Sequence, residues 1–237
     1  MKTLNVFAHP EKNSFNGALF QTAQDVFSAN GHEVKVSDLY RMGFNPVSDR
    51  ANFQSVKDPA YFKQQVEEVY ATVNDSFADD IEAELQKLEW CDLLILQFPL
   101  WWFSMPAILK GWVDRVFAAE RVYGRGKWYD SGVFAGKKAM LSLTTGSGAD
   151  SYDVDGLHGD IHRILYPINH GILRFVGFDV LPPFISWSPA HVSDEDRRAE
   201  LLRYRSTLDA IEELSPITYP SLDEYDGRLK LKVPVVK

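Results

Sequence analysis

The chain has 237 residues, 45% of them hydrophobic and 24% charged, with a net charge of −8. This composition suits a globular protein with one sizeable core, and the negative field opposes nucleic acid and anionic membranes as partners. A lone cysteine, Cys91, excludes an intramolecular disulfide and a cysteine-based zinc cluster, and no apolar run reaches membrane-spanning length.

The opening residues, MKTLNVFAHP, lack the long apolar region of a signal peptide and read as a strand over Leu4–Ala8, so the expected compartment is the cytoplasm. Phe15, Leu19, Ala23 and Phe27 recur at helical spacing, and Asn30–Gly31 supplies the stop. His32 to Leu39 alternates as a second strand. Residues 40–76 are polar and irregular, with one helix expected near Tyr61–Thr72; an insertion this long points to a functional role. Ala78–Leu88 reads as a helix. Cys91–Phe98 is a third strand, apolar enough to be buried on both faces. Pro106 opens a helix to Phe117, Lys138–Thr144 is a fourth strand, Asp160–Phe175 a helix, and Phe178–Pro182 a fifth strand. Ser193–Glu213 is a charged helix with a Ser193/Asp196 capping pattern.

Alternating strands and helices predict an α/β fold, a doubly wound parallel five-stranded sheet with helices on both faces. The flavodoxin-like strand order 2-1-3-4-5 is preferred over the classical dinucleotide fold, because no GxGxxG follows the first strand. Residues 1–215 form the expected domain and 216–237 a C-terminal extension without a clear period.

Three strand ends carry unusual residues, and in this topology they are neighbours. In AHPEKNSFN, Asn13 or Ser14 can cap the following helix, whose free N–H groups attract phosphate, and His9 adds a donor. In QFPLWWFSMP, Trp101, Trp102 and Phe103 cannot all face one core, so some must meet solvent, a flat ligand or a partner chain. In LTTGSGADSYDVDGLHGD, Gly146 and Gly148 allow close backbone approach to a ligand, while Tyr152 and His158 offer a hydroxyl and a cation. The absence of GxSxG argues against a hydrolase and that of HExxH against a zinc protease; no metal site is expected.

Taken together, HPEKNSFN, DLYRMGFNP, QFPLWWFSMPAILKGWVDRVF, TTGSG and YDVDGLHGDIHRILYPINHGILRFVGF resemble, in order, segments of the NAD(P)H:quinone oxidoreductases of the DT-diaphorase type. The resemblance implies bound FAD, NAD(P)H as reductant, a quinone as acceptor, ping-pong hydride transfer, and a homodimer with shared active sites. It implies that His9, Ser14, Phe15 and Asn16 hold the pyrophosphate, and that Pro99, Leu100, Trp101, Trp102 and Phe103 line the isoalloxazine. Thr144, Thr145, Gly146 and Gly148 would bond flavin and ribityl atoms, with Arg197 near the adenine. Tyr152 and His158 would be the catalytic pair at the flavin N1/O2 edge, and Trp102, Phe103, Tyr123, Arg125 and Phe175 the substrate pocket, with Tyr123 and Phe175 reaching the partner subunit.

This chain also departs from the family. Arg125 stands where mammalian members carry a second pocket tyrosine, and makes the rim more basic. Arg174 stands where some members have a second histidine metal ligand, although His170 is kept. The alternatives are a flavin-bound regulatory subunit of another protein and an FMN-dependent azo- or nitroreductase.

Overall fold

The apolar runs of the sequence become the inner strands of one parallel sheet in the computed structural model, which describes residues 1–233. β1 (Lys2–Phe7), β2 (Glu33–Asp38), β3 (Leu93–Pro99), β4 (Lys138–Thr144) and β5 (Asp179–Val180) lie in the order β2-β1-β3-β4-β5. All seven residues of β3 are buried, because β1 and β4 flank it and helices cover both faces.

The period-2 alternation of β3 divides the core. Leu93 and Ile95 point to one face, against Leu19, Ala23 and Phe27 of α1 (Phe15–Ala29). Tyr204 and Leu208 of the last helix, α6 (Asp194–Asp209), complete that layer. Leu94, Leu96 and Phe98 point to the other face, covered by α2 (Gln64–Asn74), α3 (Asp79–Trp90), α4 (Ala107–Val116) and α5 (Ile161–Ile168).

The fifth strand differs from the expected continuous Phe178–Pro182. Pro182 and Pro183 have no N–H to give, so β5 stops after two residues and β6 (Phe184–Ser186) resumes pairing with β4 at Ser142–Thr144. The expected helix Asp160–Phe175 is also modified. Asp160 caps it, α5 runs to Ile168, and a π-helix follows over Asn169–Arg174. Pro167 withholds an N–H just before the turns widen.

The long 40–76 insertion is anchored rather than loose. Arg115 on α4 is buried and donates to Asn52 Oδ1 (2.8 Å), Asn45 O (2.9 Å) and Asp80 Oδ2 (2.7 Å). The extension after Pro216 also packs back: Ile217 N donates to Val180 O at 2.7 Å, and Tyr219 lies against the core. No helix among the described residues is long and apolar enough to cross a membrane.

Candidate active site

The carboxyl ends of β1, β3 and β4 converge, and a buried polar chain joins them. Gln97 Nε2 donates to Asn16 Oδ1 at 2.8 Å, and Asn16 Nδ2 donates to Thr144 Oγ1 at 2.7 Å. Gln97 ends the apolar run of β3, Asn16 lies in the first turn of α1 and Thr144 ends β4, so one amide positions two loops against a third. Because both ends of the Asn16 amide are engaged, its side chain supports the site. The backbone N–H groups of Phe15 and Asn16 have no partner among the described residues, as the first donors of a helix do not. Ser14 is the cap: its hydroxyl accepts from Gly17 N at 3.2 Å. His9 Nδ1 sits 3.0 Å from Glu11 N, which fixes the ring, and the ring centroid is 6.3 Å from that of Trp101.

The aromatic segment forms a hairpin. Trp101 N donates to Ser104 O (3.1 Å) and Ser104 N to Trp101 O (3.0 Å). Between them Trp102 (φ 51°) and Phe103 (φ 57°) both sit in the left-handed region. A two-residue turn with both central φ values positive normally takes Asn-Gly, since bulky L-residues there cost about 1–2 kcal/mol each. Here the strained turn carries two large rings and leaves Trp102 95% exposed. Pro99 is buried, and the N–H of Leu100 donates to Thr144 O at 2.8 Å, which seats the hairpin against β4.

Phe103 meets the third loop. Its ring lies edge-on to His158 with centroids 5.5 Å apart; His158 is 4.9 Å from Tyr152, and Tyr152 is 5.5 Å from Trp187. His158 Nε2 is 3.2 Å from Ser147 Oγ, and its backbone N–H donates to Ser151 O at 2.8 Å, so both the ring and the backbone beneath it are tied to the loop. Tyr152 is buried on a 3-10 turn, Ala149–Tyr152, and burial pushes its phenol pKa up. Thr145 is spent inside the loop: its hydroxyl donates to Ser147 O at 2.7 Å. A Cβ at Gly146 or Gly148 would meet nothing within 4 Å, so both glycines face open space.

Beyond the start of α1, Phe15, Trp187, Pro189 and Arg197 line a further cavity of about 120 Å³. Arg197 is fastened there by bonds to Pro189 O (2.9 Å) and Val192 O (2.7 Å) and an ion pair with Asp194. Trp187 was not singled out from sequence; it follows β6, so the strand-end rule that found the Trp101–Phe103 segment also applies to it. Gln97 was missed too, and its signal was a polar side chain inside an apolar run.

Tyr123, Arg125 and Phe175 lie elsewhere. Tyr123 and Phe175 are 5.9 Å apart and line a separate cavity of about 340 Å³ with Gln65 and Glu68. Gln65 Nε2 donates to the Tyr123 hydroxyl at 3.2 Å. Glu68 accepts from Ala119 N at 2.7 Å, and burial raises its pKa. Arg125 is exposed on a turn and pairs with Glu120 at 2.8 Å. Among the described residues, no aromatic pair links this group to Trp102, Phe103, Tyr152 or His158. The lone Cys91 is buried, its thiol pushed up to about 12 by desolvation, which makes it a core residue and not a nucleophile. His170 sits among Tyr129, Tyr166 and Tyr219, and no group of three or more metal-binding side chains occurs among the described residues.

Comparisons with known proteins identify the fold and the family. A family model for the flavodoxin-like fold matches residues 1–208. The chain is 42% identical over 226 residues to rat NAD(P)H dehydrogenase [quinone] 1, covering 95% of this chain and 82% of that protein. It is 43% identical over 217 residues to human ribosyldihydronicotinamide dehydrogenase [quinone], covering 91% and 94%. A solved structure from Klebsiella pneumoniae, described as a candidate quinone reductase, superposes with a TM-score of 0.93 at 37% identity, covering 98% of this chain and 94% of that one.

Proposed function

Because the chain belongs to the flavodoxin-like NAD(P)H:quinone oxidoreductases, we propose that it binds FAD across the three-loop crevice. It then passes two electrons as hydride from NAD(P)H to a quinone in two alternating half-reactions. The observation that carries this reading is the strained hairpin. A fold spends conformational energy to present bulky rings at a strand end only where those rings have work to do.

The residues present fit the cofactor. Trp101, Trp102 and Phe103 offer an apolar wall, the free N–H groups of Phe15 and Asn16 suit a pyrophosphate, and Gly146 and Gly148 leave room for close approach. The cavity by Phe15 and Arg197 extends past the phosphate end, which favours a dinucleotide such as FAD over FMN. When bound, the flavin supplies hydride acceptance and donation at N5.

The protein supplies orientation and field. Tyr152 keeps its proton, because burial disfavours the phenolate, and so would be a hydrogen-bond donor to the N1/O2 edge of a bound flavin. His158 adds a second donor, aimed by Ser147 and by contact with Phe103 and Tyr152. The hairpin rings would cover one face of the bound flavin. Tyr123, Arg125 and Phe175, remote from the crevice in their own chain, form the substrate wall of a partner subunit's site in a homodimer.

Purified protein is expected to be yellow, to release FAD on denaturation, and to oxidise NADH or NADPH with a quinone. A colourless protein that takes up no added flavin rejects the reading, and release of FMN alone rejects the dinucleotide. Light scattering is expected to give a dimer; a fully active monomer rejects the shared site.

A further inference from the structure

We propose that the C-terminal extension is a strap that fixes the Phe175 wall of the substrate pocket, with Asp130 as the positioning residue that joins them. The proposal rests on the placement of Phe175 in that pocket.

Phe175 follows directly on the π-helix Asn169–Arg174, a conformation that needs support from its surroundings. Asp130 provides that support from the 3-10 turn Tyr129–Ser131. One carboxylate oxygen pairs with Arg174 on the π-helix, and the other accepts the Leu222 N–H of the extension at 2.6 Å. The neighbouring residue, Tyr129, donates its N–H to Phe175 O at 2.8 Å and places its ring edge-on to Phe175, with centroids 5.5 Å apart. The same Tyr129 ring is 5.2 Å from His170, which is in turn 5.0 Å from Tyr219 of the extension. Contact therefore runs unbroken from the extension to the pocket wall.

The extension is shaped to hold this position. Ile217 fastens its start to β5. Ser221 and Glu224 form a capping box around the 3-10 turn Leu222–Glu224, and Tyr225 pairs with Leu231 across the return. Between the extension and the core lies a cavity of only about 160 Å³, edged by Tyr129, His170, Leu222 and Tyr225. The contact is not fully filled, and the Asp130 bond to Leu222 N–H ties the extension to the π-helix side of the gap.

Leu222 allows a selective test. It is the first residue of its turn, where proline is tolerated, and the preceding Ser221 has φ −76° and ψ 159°, which a following proline accepts. Leu222→Pro therefore removes the N–H that Asp130 accepts and leaves the local fold in place, whereas Leu222→Ala keeps the N–H. Loss of a hydrogen bond to a charged group predicts that Leu222→Pro and Asp130→Ala each raise the quinone KM about fivefold, with kcat and bound flavin unchanged. Because Asp130→Ala also removes the Arg174 pair, the double variant should be no worse than Asp130→Ala alone, and Leu222→Ala should stay near wild type. Hydrogen exchange over residues 169–176 should quicken in the first two variants.

Unaltered exchange overturns the strap, whatever the activity. Faster exchange with an unchanged KM overturns its role in the pocket. A wild-type protein with no quinone turnover refutes the quinone reductase reading by itself, and the exchange result alone then judges the strap.

Discussion

Two aromatic regions of this molecule are built in opposite ways. The crevice around Trp101–Phe103, Tyr152 and His158 stands on the ends of buried strands and is open on its ligand side. The cluster of Tyr123, Tyr129, Phe175, His170 and Tyr219 lies off the sheet and is braced by a π-helix and the C-terminal extension. The first region gets its precision from the parallel ladder and one buried amide chain. The second gets it from contacts between segments distant in sequence. A strand end fixes a backbone and leaves side chains free to meet a ligand, while a cluster off the sheet must hold itself.

The sharpest way to break the first region is to disturb its loop without touching a ring. A Cβ on Gly17 would sit 1.8 Å from Lys12 O, so Gly17→Ala must displace the whole β1–α1 loop. We expect a loss of about 3 kcal/mol in denaturant unfolding together with loss of bound flavin. Retained flavin would show that the loop does not hold the cofactor. Next in size, His158→Gln should slow flavin reduction by NAD(P)H about 10²-fold in stopped-flow measurements while flavin stays bound. Unchanged single-turnover rates in both His158→Gln and Tyr152→Phe would remove both from the catalytic role.

A third substitution sharpens the contrast by moving stability and activity in opposite directions. Replacing Trp102 and Phe103 together by Asn and Gly gives the hairpin the residues its turn prefers. Relief of strain at two positions, partly offset by the lost Phe103–His158 contact and the entropy of the glycine, should raise unfolding stability by about 1–2 kcal/mol while quinone turnover falls. A fall in stability would mean the strained rings hold the fold together and are not reserved for a ligand.

The smallest expected effect lies in the second region and depends on pH. Burial first, and Arg174 second, lower the pKa of His170 below its ordinary 6.5. The folded state therefore binds fewer protons than the unfolded state just below 6.5, so stability falls as pH drops through that window. His170→Phe keeps the stack on Tyr166, where the centroids are 4.6 Å apart, and should flatten the decline in melting temperature between neutral and mildly acidic pH. An unchanged slope would place the acid sensitivity elsewhere, and Glu68 cannot supply it. Its pKa is raised by burial, so protonation as pH falls through the folded value relieves a penalty and works in the opposite sense.

The contrast between the regions also marks what could be read in advance. Leu93–Leu96 announced a strand buried on both faces, and the convergence of AHPEKNSFN, QFPLWWFSMP and TTGSG followed from strand order. A cap at Asn13 or Ser14, the stop at Asn30–Gly31 and the Ser193/Asp196 box were legible because capping is local chemistry, and the structure decides the first in favour of Ser14. The positive φ of Trp102 and Phe103 was not legible, because nothing local favours it; the turn is imposed by the seat of Leu100 on β4 and the start of α4. Gln97–Asn16–Thr144 was hidden for a similar reason, its members being 81 and 128 residues apart.

By itself the sequence determined the first four strands, the helix ends and which loops meet at the strand ends, since periodicity, proline and capping act over a few residues. Only the tertiary structure decided how the fifth strand divides around Pro182 and Pro183, which polar groups are spent on scaffolding, and that Tyr123 and Phe175 stand apart from the crevice. It alone decided that the extension reaches Asp130. Those outcomes turn on which distant segments compete for the same partners, and that competition is settled only once the chain has packed.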